Sequence, residues 1–124
     1  SIPVGIFTGS VLHANNTRDI PTDSKAGAIS FAGVIGEKAS VRIYQIYMWI
    51  PIAYTAVMTV AGLFPLWVLA FIICSSAIAW QNTRQAQKYG KEGLAAFNQL
   101  DLMTAKLQMI SGIGLILGFI AAAI

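Results

Sequence analysis

The stretch NNTRDIPTD, residues 15–23, gathers two carboxylates and two carboxamides within a short span of chain. Asp19 and Asp23 stand four positions apart, and residues at i and i+4 share one face of a helix. Asn16 falls on the same stripe, and Asn15 precedes Asp19 by the same spacing. Such oxygen ligands suit a hard cation like Mg²⁺, which takes one or two carboxylates together with water and substrate phosphates. Two carboxylates one helical turn apart repel unless a cation lies between them. A metal held there would carry a diphosphate. Asp and Asn are also common at helix ends and turns, where they cap and accept unusual dihedrals. Spacing alone therefore leaves a solvated loop open. Position at the edge of a membrane bundle argues for the site, because ionisable groups there are functional candidates.

The rest of the chain places the cluster at such an edge. Of 124 residues, 56% are hydrophobic and only 10% are charged, whereas a soluble domain carries about 25% charged residues. All eight Lys and Arg and all five Asp and Glu fall within residues 18–42 and 84–106. The uncharged stretches are 1–17, 43–83 and 107–124. A helix must run for roughly 20 residues to cross the hydrocarbon core. The first and last stretches each fit one span, and the middle one suits two, broken at Gly62-Leu63-Phe64-Pro65. Gly weakens a helix, and Pro is accepted in the first turn of the next. The sequence thus predicts an all-α, polytopic membrane protein with four transmembrane helices, about 2–17, 40–62, 65–82 and 102–123. Strands are not expected, because the period-two alternation is missing and an open sheet cannot face lipid.

Four spans put the charged loops 18–39 and 83–101 on one side of the membrane. That side holds every Lys and Arg, which makes it cytoplasmic. The net charge of +3 does not point to nucleic acid, because the basic residues are juxtamembrane and mixed with acids. The single Cys74 lies mid-helix and is expected to be a buried small hydrophobe. The chain starts on Ser within its first span, without a charged leader, which points to the C-terminal piece of a longer protein.

LHANNTRDIPTDSKAG, with GVIG at 33–36, resembles the second aspartate-rich motif of the UbiA superfamily of intramembrane prenyltransferases. Its NNxRDxxxD form looks most like the branch that makes menaquinone precursors, the 1,4-dihydroxy-2-naphthoate polyprenyltransferases. NQLDLMTAKL at 98–107, followed by Gly112, is similar to the start of that family's last helix. The resemblance covers nearly all of residues 1–124 and makes them the last four of nine helices that ring a central cavity. It implies transfer of a polyprenyl group from an isoprenoid diphosphate to an aromatic acceptor, with Mg²⁺ as cofactor. Asp19 and Asp23 would be the metal ligands and catalytic carboxylates of the second motif. Asn15 and Asn16 would line the polar end of the cavity. Arg18 would neutralise the leaving diphosphate or face lipid headgroups. The partners implied are the two substrates, the bilayer, and an N-terminal half that carries the other aspartate-rich motif.

The chain departs from the family pattern at three points. Pro21 lies between the aspartates and disfavours helix at Ile20, so the first helix ends near Asp19 unless Pro21 opens a new turn. AISF follows Gly27 where the family commonly has a basic residue and then Thr-Leu. The first aspartate-rich motif is absent, so these residues hold half a metal site. Lys25 and Lys38 can reach diphosphate oxygens or lipid headgroups. Lys106 falls in the first turn of the fourth helix, against its dipole, and Asp101 is expected to be that helix's N-cap. His13 is either a proton carrier or a hydrogen-bonded interior residue. Gly114 and Gly118 form a GxxxG that permits close helix contact.

Two functions follow. One is an aromatic prenyltransferase, of which this is the C-terminal part. The other is a non-catalytic membrane subunit descended from the same family, with a packing or quinone-binding role. A small transporter fits less well, since the spans are apolar at their centres.

Overall fold

The computed structural model describes residues 2–124. Seven helices follow in chain order: α1 (Ile2–Arg18), α2 (Ile20–Ala26), α3 (Phe31–Ile35), α4 (Glu37–Val60), α5 (Val68–Gln87), α6 (Tyr89–Glu92) and α7 (Leu100–Ala123). A 3₁₀ turn at Gly93–Phe97 joins α6 to α7. No strand occurs among the described residues. The four long helices correspond to the four expected from sequence. Two of them, α4 and α7, are long and apolar enough to cross a membrane. The other two are α1, with 17 residues, and α5, whose 20 residues end in the polar run QNTRQAQ.

Helix ends differ from expectation in a consistent direction. α4 starts at Glu37, α5 runs on to Gln87 and α7 starts at Leu100. Gln, Arg, Lys and Glu are good helix formers, so the backbone ladder continues past the point where apolar residues stop. Much of the expected loops 18–39 and 83–101 is taken up by the short helices α2, α3 and α6. Lys106 consequently lies in the second turn of α7 and is exposed. Asp101 is not the N-cap, a place taken by Gln99.

The α4–α5 connection turns at Gly62, whose φ of 75° is the left-handed conformation that glycine adopts freely. The Leu63 N–H returns to the Met58 carbonyl at 2.9 Å, which closes the end of α4. Pro65 does not open α5. The N–H groups of Val68 and Leu69 bond three residues back, to Pro65 and Leu66, at 3.1 and 2.9 Å. This tight 3₁₀ turn delays the α-helix to Val68.

α1 packs on α4 and α7, and α5 packs on the same two, so the long helices close into a ring with α1 diagonal to α5. The core holds Phe7 of α1, Tyr44, Met48 and Ile52 of α4, Ala79 of α5, and Leu100 and Leu107 of α7. Small residues set the α5–α7 approach. A Cβ on Gly114 would overlap the Phe71 ring, and one on Gly118 would lie 2.7 Å from Val68 Cγ2 and 3.3 Å from its backbone nitrogen. Hydroxyls tie the helices laterally. The oxygens of Ser75 and Ser111 are 2.8 Å apart, and Gln108 Nε2 donates to Thr8 Oγ1 at 2.8 Å. Cys74, expected to be buried, is exposed on the outer face of α5.

A further polar knot lies nearer the charged end. Tyr44 is fully buried and packs edge-on against Phe97, with ring centroids 5.3 Å apart. Thr104 Oγ1 donates to the Leu100 carbonyl at 2.6 Å, so Tyr44 is the donor in the 2.7 Å contact between the two hydroxyls. Asn82 of α5 is buried beside Met48, to whose sulfur its Nδ2 donates at 3.8 Å.

Two stability predictions follow. Gly118→Ala should destabilise the bundle by about 1–3 kcal/mol, because the start of α5 must move. Gly112→Ala should be nearly neutral, since its Cβ would meet only Val4, at 3.9 Å. Thermal unfolding in detergent compares them, and equal melting temperatures would contradict the packing. Tyr44→Phe keeps the ring and loses the Thr104 bond, which should cost about 1 kcal/mol in the same assay.

Candidate functional site

The candidate cluster sits where α1 hands over to α2. Pro21 has no N–H, so the helical bond from position 21 to the Thr17 carbonyl cannot form. The helix breaks at Asp19, with φ −89° and ψ 2°, and resumes at Ile20 with Pro21 in the tolerant first turn. The break is slight. The Asp19 N–H bonds the Asn15 carbonyl at 2.9 Å, and the Asp23 N–H bonds the Asp19 carbonyl at 2.8 Å. These two bonds keep Asn15, Asp19 and Asp23 one helical turn apart, although the rungs at Ile20 and Pro21 between them are missing. Of the two outcomes open at Pro21, an ending and a new turn, both occur.

The two carboxylates nonetheless meet different neighbours. Arg18 Nε donates to Asp19 Oδ1 at 2.8 Å, and its Nη2 donates to Asp19 Oδ2 at 3.0 Å. Its Nη1 donates to Asp101 Oδ2, on α7, at 2.9 Å. Hydrogen bonding from the Arg18 guanidinium, aided by its charge, holds the Asp19 carboxyl below the usual carboxylate range. Asp23 instead lines a cleft of about 270 Å³ between α2 and α3, with Ile20, Ser24, Ser30 and Val34 among its walls. Gly27, in the left-handed conformation, ends α2, and the Ala28 N–H returns to the Asp23 carbonyl at 2.9 Å. Ser30 caps α3 by accepting from the Gly33 N–H at 3.2 Å. These two stops fold α3 back beside α2 and form the cleft.

Asn15 and Asn16 are half-buried at the end of α1. Asn15 Oδ1 is buried and has no hydrogen-bond partner among the described residues. Buried polar atoms are almost always satisfied, and this carboxamide oxygen, one turn before Asp19, is an acceptor that a hydrogen-bond donor or a hard cation would satisfy. The oxygens of Asp19, Asp23 and Asn15 match the donor set that Mg²⁺ prefers. Among the described residues no three His, Cys, Asp or Glu side chains group as metal ligands. Lys25 is exposed in the last turn of α2, where its charge complements the helix dipole, and Lys38 is exposed at the start of α4.

His13 is buried one turn before Thr17, and its Nε2 donates to the Ser40 carbonyl at 3.0 Å. Tyr47 meets it edge-on at 5.7 Å. Of the two roles open to it, the interior hydrogen-bonded histidine is the one observed. Sequence reasoning missed the contact from Asp101 to Arg18, having given Asp101 a capping role. It also gave no role to Thr104, although the motif NQLDLMTAKL contains both residues.

Comparison with known proteins places these residues in a lineage. Residues 1–107 match the model of the UbiA prenyltransferase family. UbiA prenyltransferase domain-containing protein 1 of Rattus norvegicus is 32% identical over 123 residues, which cover 98% of this chain and 33% of that protein. Its Homo sapiens counterpart is 30% identical over 122 residues, again 98% of this chain and 33% of the relative. A Drosophila melanogaster homolog is 39% identical over 51 residues, 41% of this chain and 14% of that protein. The chain thus spans about a third of the length of the curated relatives it matches. No solved structure matches it. With its two apolar helices and this match over most of its length, the chain belongs to the UbiA prenyltransferase family, a family of membrane proteins.

Proposed function

We propose that this chain forms the C-terminal part of an intramembrane aromatic prenyltransferase and supplies one of its two metal-binding motifs. The donor is an isoprenoid diphosphate. The acceptor is a quinone precursor of the 1,4-dihydroxy-2-naphthoate class. α1, α4, α5 and α7 all cross the bilayer, and the ends that carry residues 18–42 and 84–106 face the cytoplasm. The observation that carries this proposal is the pair of i→i−4 bonds, Asp19 N–H to Asn15 and Asp23 N–H to Asp19, that spans the break at Asp19 and keeps two carboxylates and an orphaned carboxamide oxygen at successive turns.

Asp19, Asp23 and Asn15 Oδ1 are the residues that would hold Mg²⁺, and the ion would offset the negative charge that grows on the diphosphate as the allylic C–O bond breaks. Arg18 holds a guanidinium beside the motif, where planar N–H donors suit phosphate oxygens. Lys25 adds a second, mobile positive charge from α2. Asn16 presents a neutral amide that can bond the diphosphate without repelling it. The apolar helices exclude water, which would otherwise trap an allylic cation. Their lipid-facing surface gives a long isoprenoid tail an apolar path.

One observation favours the second reading, a non-catalytic subunit of the same descent. Asp19 already spends both carboxylate oxygens on Arg18, so the pair is neutralised without a metal.

Replacement separates the two. In the full-length protein, Asp19→Ala and Asp23→Ala should each lower Mg²⁺-dependent prenyl transfer by about 100-fold or more, the scale of losing a charge-stabilising group. Chelation of divalent cations should abolish turnover, and Mg²⁺ should restore it. Wild-type rates in both variants would sink the metal assignment. A full-length protein with no transferase activity on any aromatic acceptor would favour the subunit.

A further inference from the structure

The guanidinium of Arg18 has two acidic partners that are held in different ways. Asp19, its neighbour in sequence, gives it both carboxylate oxygens, at 2.8 and 3.0 Å. That side chain makes no other hydrogen bond among the described residues and is 41% exposed. Asp101 comes from the first turn of α7, 83 residues away, and gives Arg18 one oxygen at 2.9 Å. Its other oxygen accepts from the Leu102 N–H at 2.8 Å. Asp101 is thus anchored by α7 itself, and a carboxylate at a helix N-terminus is further stabilised by the helix dipole. Asp19 is anchored by Arg18 alone.

We propose that Asp101 is a positioning residue that retains Arg18 when a cation claims the Asp19 carboxylate. This rests on the metal-binding function proposed above. With Asp101 present, Arg18 keeps an acidic partner at 2.9 Å while Asp19 turns to the cation. The guanidinium then stays at the motif, in place to meet the anion that the cation carries. Without Asp101, Asp19 is the one acid beside Arg18. A cation must then displace a charge-assisted, two-pronged contact and leave the guanidinium without a partner. Asp101 therefore favours cation binding at a carboxylate that it does not touch, and it does so through Arg18.

The test is Mn²⁺ binding, with Mn²⁺ alone as the probe, to the purified full-length protein, read by electron paramagnetic resonance of the free ion. Asp101→Asn keeps an oxygen for the Leu102 N–H and lacks the charge. It should weaken Mn²⁺ binding about five-fold, the scale of a partly exposed ion pair. Asp101→Ser should do the same, and serves if the Asn variant does not fold. In an Arg18→Gln background, Asp101→Asn should have no further effect. A general electrostatic contribution of Asp101 would persist in that background, and persistence overturns the proposal. Wild-type affinity in both Asp101 variants overturns it as well, while leaving the metal site intact. A wild-type protein that binds no Mn²⁺ at all would remove the metal-binding function itself, and this inference with it.

Discussion

A single guanidinium joins the two ends of this sequence. Arg18, the last residue of α1, binds Asp19 beside it and Asp101 on α7. α1 and α7 pack along their lengths, with the Thr8–Gln108 bond further along, and Arg18 closes them at the charged end. Where α1 stops and α2 begins, two constraints coincide. Pro21 removes one rung of the helix, and the Arg18 contact fixes the carboxylate at the break. The position of Asp19, and so of any ligand it binds, depends on both.

Away from that end the bundle is built for an apolar surround. Its outer surface carries Ile73, Ile113, Ile116 and Ile120, all largely exposed, as expected where lipid rather than water covers the helices. With lipid outside, burial of apolar area gives the helices little reason to associate, so close packing and lateral hydrogen bonds carry that part. Gly114 and Gly118 let α7 approach Phe71 and Val68, while Ser75–Ser111 and Tyr44–Thr104 supply the bonds. Asn82 Oδ1, buried beside this network, has no hydrogen-bond partner among the described residues, which costs the bundle stability.

Much of this was legible in the sequence. Segregation of the thirteen charged residues into two windows located all four long helices. Gly62 marked the turn between α4 and α5, and NNTRDIPTD marked the family. Helix ends were less legible, because the polar residues that signal the end of an apolar span are themselves good helix formers, as Gln81 to Gln87 show. Pro65 misled for a related reason: proline is compatible with the first turn of a helix and also with the 3₁₀ turn that precedes one. The role of Asp101 was out of reach. Its position near a helix start is what a cap looks like locally, and its partner lies 83 residues away, a distance that no local spacing encodes. The separation of Asp19 and Asp23 into different surroundings was equally hidden, since it arises from the fold-back of α3.

The central claim is that one face of the α1–α2 junction is half of a metal–diphosphate site. The most direct test is anomalous diffraction from the full-length protein crystallised with Mn²⁺ and a non-hydrolysable isoprenoid thiodiphosphate. The account predicts a Mn²⁺ peak at inner-sphere distance from the carboxylate oxygens of Asp19 or Asp23, with Arg18 still bound to Asp101. A diphosphate seated elsewhere, with Asp19 still paired to Arg18 and no metal beside it, would contradict it.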